Sequence, residues 1–156
     1  MSQRLSSFAS LETRLYVGAG WPAGPKGDQV WGFPFKTPKA DVKANGSDGP
    51  ITVVPTAPVT ITVTLDAGEL GGQKADWYLV GWAPWGIYSA VWGKGWVPGV
   101  VPFLAYPLFD LPSPVPIFNA PLPAGSYIAA FGVDDRPDGT FNGTVWWDFV
   151  GITSKP

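Results

Sequence analysis

The chain contains no cysteine and no histidine. Without cysteine there is no disulfide, no thiolate-held metal and no thiol nucleophile, although the absence says little about compartment. Histidine is the usual general base near neutral pH and the commonest transition-metal ligand. Its absence excludes a Ser-His-Asp arrangement and a histidine-held zinc or copper. Charge is also scarce, at 14% of residues, with ten basic and twelve acidic side chains for a net charge of -2. The basic residues are scattered, so there is no electrostatic footprint for nucleic acid. No uninterrupted apolar run reaches the roughly 18 residues of a transmembrane helix. The opening MSQRLSSFASLETRLYVG lacks an apolar run before a small-residue cleavage site, so no signal peptide is expected in it.

What the chain has instead is aromatic and apolar surface, with 46% of its 156 residues hydrophobic and 15% aromatic, punctuated by 20 glycines and 18 prolines. That composition predicts many short strands separated by turns, in one domain with an appended arm. Asp76 to Trp96, DWYLVGWAPWGIYSAVWGKGW, holds five of the nine tryptophans in two strand-like runs joined by a Pro-Trp-Gly turn. Aromatic and β-branched residues at this density fit a pleated surface and leave no helical stripe.

In chain order, residues 1–17 carry apolar residues at spacings of three and four (Leu5, Phe8, Leu11, Leu15), though Leu11 to Val17 also fits a strand. Residues 18–39 are broken by glycine and proline yet contain Trp21, Trp31, Phe33 and Phe35. A free linker has little reason to carry four large aromatics, so these four are expected to dock an arm, residues 1–41, on an apolar surface.

The sandwich is expected over residues 42–156. Residues 42–54 read as a first strand bent at Asn45-Gly46 and Asp48-Gly49. The cleanest alternation follows, with Val59, Ile61, Val63 and Leu65 against Thr60, Thr62, Thr64 and Asp66. The strands around Trp77, Tyr127 and Trp147 differ in being apolar on both faces. Residues 97–123 hold eight prolines and so are excluded from central strands, predicting a long crossover with short edge segments. Within it, Phe103, Leu104, Tyr106, Leu108, Phe109 and Phe118 are expected to cap one end of the core. The spacing Leu122, Gly125, Tyr127 has the form of a tyrosine corner, in which a phenol closes a loop onto backbone.

The ordered set NGSDGPITV, PVTITVTLDAG, ADWYLVGWAPWGIY, PLFDLPS, LPAGSYIAAFGVDDRPDG and WWDFV resembles an uncharacterised immunoglobulin-like module of large secreted or surface proteins of bacteria. The likeness covers roughly residues 42–152. It implies an all-β, immunoglobulin-like antiparallel β-sandwich, located outside the cell or at its surface, without known catalysis.

Three functional readings compete. Asp134 and Asp138 flank a Gly139 turn in the manner of a calcium loop, but Arg136 stands between them and no glutamate closes the loop. A plain hairpin turn is the simpler expectation, and no other cofactor is implied. Trp82, Trp85, Trp92 and Trp96 would suit a carbohydrate-binding module if exposed; otherwise they are core, or covered by the arm. The doubly apolar strands, with Trp77, Tyr127 and Trp147 as their structural landmarks, predict a sheet whose outward face must be covered by the arm of this chain or of a neighbour. Arm exchange would build a dimer or a filament. Catalysis by carboxylates alone is not expected, since Glu12, Glu69 and every aspartate except Asp76 fall in or near predicted turns or ends. The expected function is a non-catalytic extracellular structural module, partnered by itself or by another surface protein in a filament, adhesin or coat. Glycan binding is the alternative.

Overall fold

The computed structural model describes residues 35–156. In them the chain forms β1 (Lys39–Ala44), β2 (Ile51–Val53), β3 (Pro58–Asp66), β4 (Lys74–Ala83), β5 (Gly86–Val91), β6 (Gly95–Pro98), β7 (Leu104–Pro107), β8 (Leu111–Pro121), β9 (Gly125–Asp134) and β10 (Val145–Ser154). A single 3-10 turn, Gly68–Leu70, separates β3 from β4. The described chain is therefore all-β, and no helix in it is long and apolar enough to cross a membrane. Trp21, Trp31 and Phe33, and both readings of residues 1–17, lie outside the described residues. Pro38–Pro156 forms one compact unit, and β1 begins at Lys39, ahead of residue 42.

The strands make two sheets. The smaller has the order β1-β3-β8; the larger runs β2-β10-β9-β4-β5-β6, with β7 sharing the β5 side of β4. All pairings are antiparallel except the short parallel contact of β2 with β10. The strands around Trp77, Tyr127 and Trp147, which are β4, β9 and β10, are neighbours in the larger sheet.

Alternation sets the faces. In β3, Val59, Ile61, Val63 and Leu65 are buried while the threonines between them are half-buried. Across the register, Val42 pairs with Val63 and Ala44 with Ile61, which extends this apolar face to β1. Each such aliphatic side chain contributes about 1.5–3 kcal/mol when taken out of water. In the larger sheet Trp77 is opposite Val133 and Leu79 opposite Phe131, while Trp146 is opposite Val133 on the far side of β9. These residues are all buried. Asp148 of β10 lies on the same face, where its Oδ2 accepts the N–H of Val42 at 3.0 Å and ties β1 to the other sheet.

Two expectations need correction. Residues 42–54 are not one bent strand. Ala44 and Ser47 exchange backbone hydrogen bonds at 2.9 and 3.0 Å around Asn45 and Gly46, which take φ of 49° and 80°. That is the two-residue turn that Asn-Gly favours, and after it the chain leaves the smaller sheet and β2 joins β10. Likewise the proline-rich passage holds a full strand: β8 is 11 residues long and pairs with β3. It remains an edge. Pro112, Pro114 and Pro116 stand at alternate positions, so the residues between them keep their donors for β3 while the missing N–H groups face away. Phe118 pairs with Ile61 and lines a different hollow from Phe103, Leu104, Tyr106 and Phe109, so these residues do not cap one common end.

Candidate functional site

At one end of the larger sheet, Asp76 and Asp134 are directly opposite on β4 and β9, and are 1% and 0% exposed. Their carboxylates organise the loop between β9 and β10. Asp134 Oδ1 accepts from Arg136 N at 2.9 Å, and its Oδ2 accepts from Asn142 N and Gly143 N, both at 3.0 Å. Asp76 Oδ2 accepts from Gly139 N at 2.7 Å, and Asp135 Oδ1 from Thr144 N at 2.8 Å. Gly143 has to be glycine here, because a Cβ would run into the carboxylates of Asp134 and Asp135.

Asp138 caps its own turn, accepting from Thr140 N and Oγ1 and from Asn142 Nδ2. Those bonds, the Thr140 hydroxyl first, hold its carboxyl below the usual value. Burial pushes Asp76 up, with the nearby Asp134 and Asp138 charges adding to it against the Gly139 bond. Tyr78, two residues along β4, is pushed up to about 12 by burial and then by the same three carboxylates. The arrangement turns Asp134 and Asp138 toward loop N–H groups. No cluster of three potential metal ligands occurs among the described residues.

The other end of the same sheet is apolar. There the inward positions of β4 and β9 carry Gly81, Ala83 and Ala129, with Tyr127 the one large side chain among them. Above this floor is a hollow of about 370 Å³ lined also by Trp85, Tyr88, Trp96, Ile117, Phe118 and Leu122. The smaller sheet has three strands against the seven of the larger, and among the described residues Tyr88 of β5 and Trp96 of β6 meet Ile117, Phe118 and Leu122, from β8 and the residue after it, across the hollow. Trp96 leans over Gly81, whose missing Cβ would be 3.7 Å from its ring. Trp85 meets Tyr127 edge-on with centroids 5.8 Å apart, and Tyr127 Oη donates to Pro123 O at 2.7 Å. Burial raises the pKa of that phenol.

The four tryptophans considered for sugar binding separate. Trp85 and Trp96, 60% and 47% exposed, stand at the hollow. Trp82 borders it from β4, but its side chain packs with an outward cluster of Tyr78, Val80, Ala130, Trp147 and Phe149. Trp92, 72% exposed, packs edge-on against Phe103 and lines a second hollow with Tyr106 and Phe109. Trp77 is core, 5.1 Å from Phe109, and its Nε1 donates to Tyr106 O at 3.1 Å. Trp147 lies in the outward cluster, 5.5 Å from the Phe149 ring. Phe35, the one arm aromatic among the described residues, is half-buried.

Sequence reasoning missed the hollow, with Tyr88, Ile117 and Leu122 at its sides. The available signal was the run of small residues at 81, 83 and 129 in the same alternation that places large ones at 77, 79, 131 and 133. Compared with family models, with curated proteins and with solved structures, the chain matches none.

Proposed function

We propose that this chain is a non-catalytic, immunoglobulin-like β-sandwich module acting by association, as a structural subunit of an extracellular or surface assembly built from copies of itself. The supporting observation is the trio β4, β9 and β10, which is apolar on both faces: Trp77, Phe131 and Val150 are buried on one side, and Tyr78, Val80 and Ala130 lie with Trp82, Trp147 and Phe149 on the other. In a single chain Tyr78, Val80 and Ala130 are already buried, while Trp82, Trp147 and Phe149 are half-buried. The aromatic arm of a neighbouring copy would cover those half-buried rings and link the two copies.

The immunoglobulin-like reading is supported by the adjacency of β10, β9 and β4, the step of the chain from one sheet to the other between β1 and β2, and the Tyr127–Pro123 bond. The polar groups of the acidic loop are spent on backbone donors, which favours a structural role over catalysis.

Light scattering after size exclusion tests the proposal on the full chain and on a variant with Trp21, Trp31 and Phe33 changed to serine. A large species that falls to monomer in the variant supports arm-mediated assembly. A monomer at every concentration sinks it. Carbohydrate binding is the second reading, favoured by the exposure of Trp92 at the second hollow. Retention on an immobilised glycan panel that is lost in Trp92→Ala would support it.

A further inference from the structure

We propose that the hollow floored by Gly81, Ala83 and Ala129 is a binding site for an uncharged, ring-bearing apolar small molecule. Its volume, about 370 Å³, falls in the range of about 300–1,000 Å³ typical of ligand pockets. That leaves room for a fused ring system. The floor is small at three neighbouring inward positions, whereas protein interiors are otherwise filled to crystal-like density. The walls are aromatic, and Trp96 is placed over Gly81 so that its ring closes one side.

The chemistry of the lining selects the ligand. No lining residue has a charged or amide side chain, and the hydroxyl of Tyr127 is engaged with Pro123. The remaining side-chain polar groups are the Tyr88 hydroxyl and the indole N–H groups. A charged ligand would lose its hydration with nothing in return. A sugar would have most of its hydroxyls unpaired against hydrocarbon. Flat apolar rings, by contrast, gain offset or edge-on contact with Trp85, Trp96 and Tyr88 and displace water from a concave apolar wall.

The test titrates the full chain with N-phenyl-1-naphthylamine, an uncharged ring probe, following probe emission and tryptophan fluorescence. One saturable site per chain is expected, with Ala129→Phe and the smaller Ala129→Leu each weakening binding by about tenfold or more by filling the floor. Circular dichroism and a thermal melt of Ala129→Leu matching the parent show that the fold is kept. Absence of saturable uptake overturns the proposal, as does uptake unchanged in a folded Ala129→Leu. Displacement of the probe by a soluble oligosaccharide overturns it in favour of a glycan. Displacement by a synthetic peptide of residues 18–38 gives the site to a polypeptide segment and equally overturns it. The probe reads single chains and oligomers alike, so these outcomes do not depend on self-association.

Discussion

The two ends of the larger sheet are built on one alternation and filled in opposite ways. Toward the acidic loop, the inward positions of β4 and β9 carry Trp77, Leu79, Phe131 and Val133, all buried, and the loop beyond is tied to buried carboxylates by backbone hydrogen bonds. Toward Pro84, the same positions carry Gly81, Ala83 and Ala129 beside Tyr127, and among the described residues the space the three small ones release stays open. Strand pairing is continuous through both ends, since β4 and β9 keep register from Asp76–Asp134 to Trp82–Ile128. Backbone architecture and side-chain filling are therefore separable here: the ladder can be kept while the volume above it is given up.

The contrast is most directly broken by substitution on its two sides. Phe131→Ala at the filled end should cost about 3–5 kcal/mol, since the surrounding core cannot collapse around the gap. Ala129→Leu, one inward step along β9, should cost under about 1 kcal/mol because it enters existing space. Denaturant unfolding of the two variants decides this, and equal losses would mean that the hollow is closed in solution.

At the polar end, Asp134→Ala orphans the N–H groups of Arg136, Asn142 and Gly143. At about 1 kcal/mol for each hydrogen bond, the loss should approach 3 kcal/mol, read by the same measurement. At the apolar end the corresponding closure is a single bond, so Tyr127→Phe should remove about 1 kcal/mol and lower the melting temperature by a few degrees.

The smallest effect is expected between the ends, at Asp148. Burial raises its carboxyl above the ordinary 3.8, against the Val42 hydrogen bond. The folded chain thus holds a proton that the unfolded chain has already released. Stability from this group is fullest below pH 3.8 and declines as pH rises through the raised value. Asp148→Asn should flatten that part of the stability–pH curve by less than about 1 kcal/mol, after allowing for solvent screening. A slope in this window unchanged by the substitution would assign it to Asp76 instead.

Much of this was legible in the residues, for reasons that differ by element. The Val-Thr alternation of β3 states its faces outright, and Asn45-Gly46 states its turn. Two-faced strands around Trp77, Tyr127 and Trp147 imply central neighbours, and the register agrees. Less legible was the destination of β2, because a strand of three residues carries too little pattern to choose a sheet. Proline spacing in β8 was read as a break when its period of two is what a paired edge permits. The hollow left only a faint trace, the small residues at 81, 83 and 129, since Gly81, Ala129 and Tyr88 become neighbours only through cross-strand pairing. For Asp134 and Asp138 the residues favoured a plain hairpin turn over a calcium loop, and the structure adds which loop donors their oxygens meet.

The prolines of β8 also bear on how this molecule can meet others. A sheet grows sideways only where its last strand offers both donors and acceptors to a newcomer, and that is also how cross-β aggregates propagate. At Pro112, Pro114 and Pro116 the outer rim of the smaller sheet offers carbonyls alone. A chain arriving there finds half of a ladder, so the β8 edge of the smaller sheet is a closed margin against polymerisation by strand addition, unlike the opposite edge at β1. Contacts on that flank are left to side chains, whose shape and chemistry can discriminate among partners in a way that a bare backbone edge cannot.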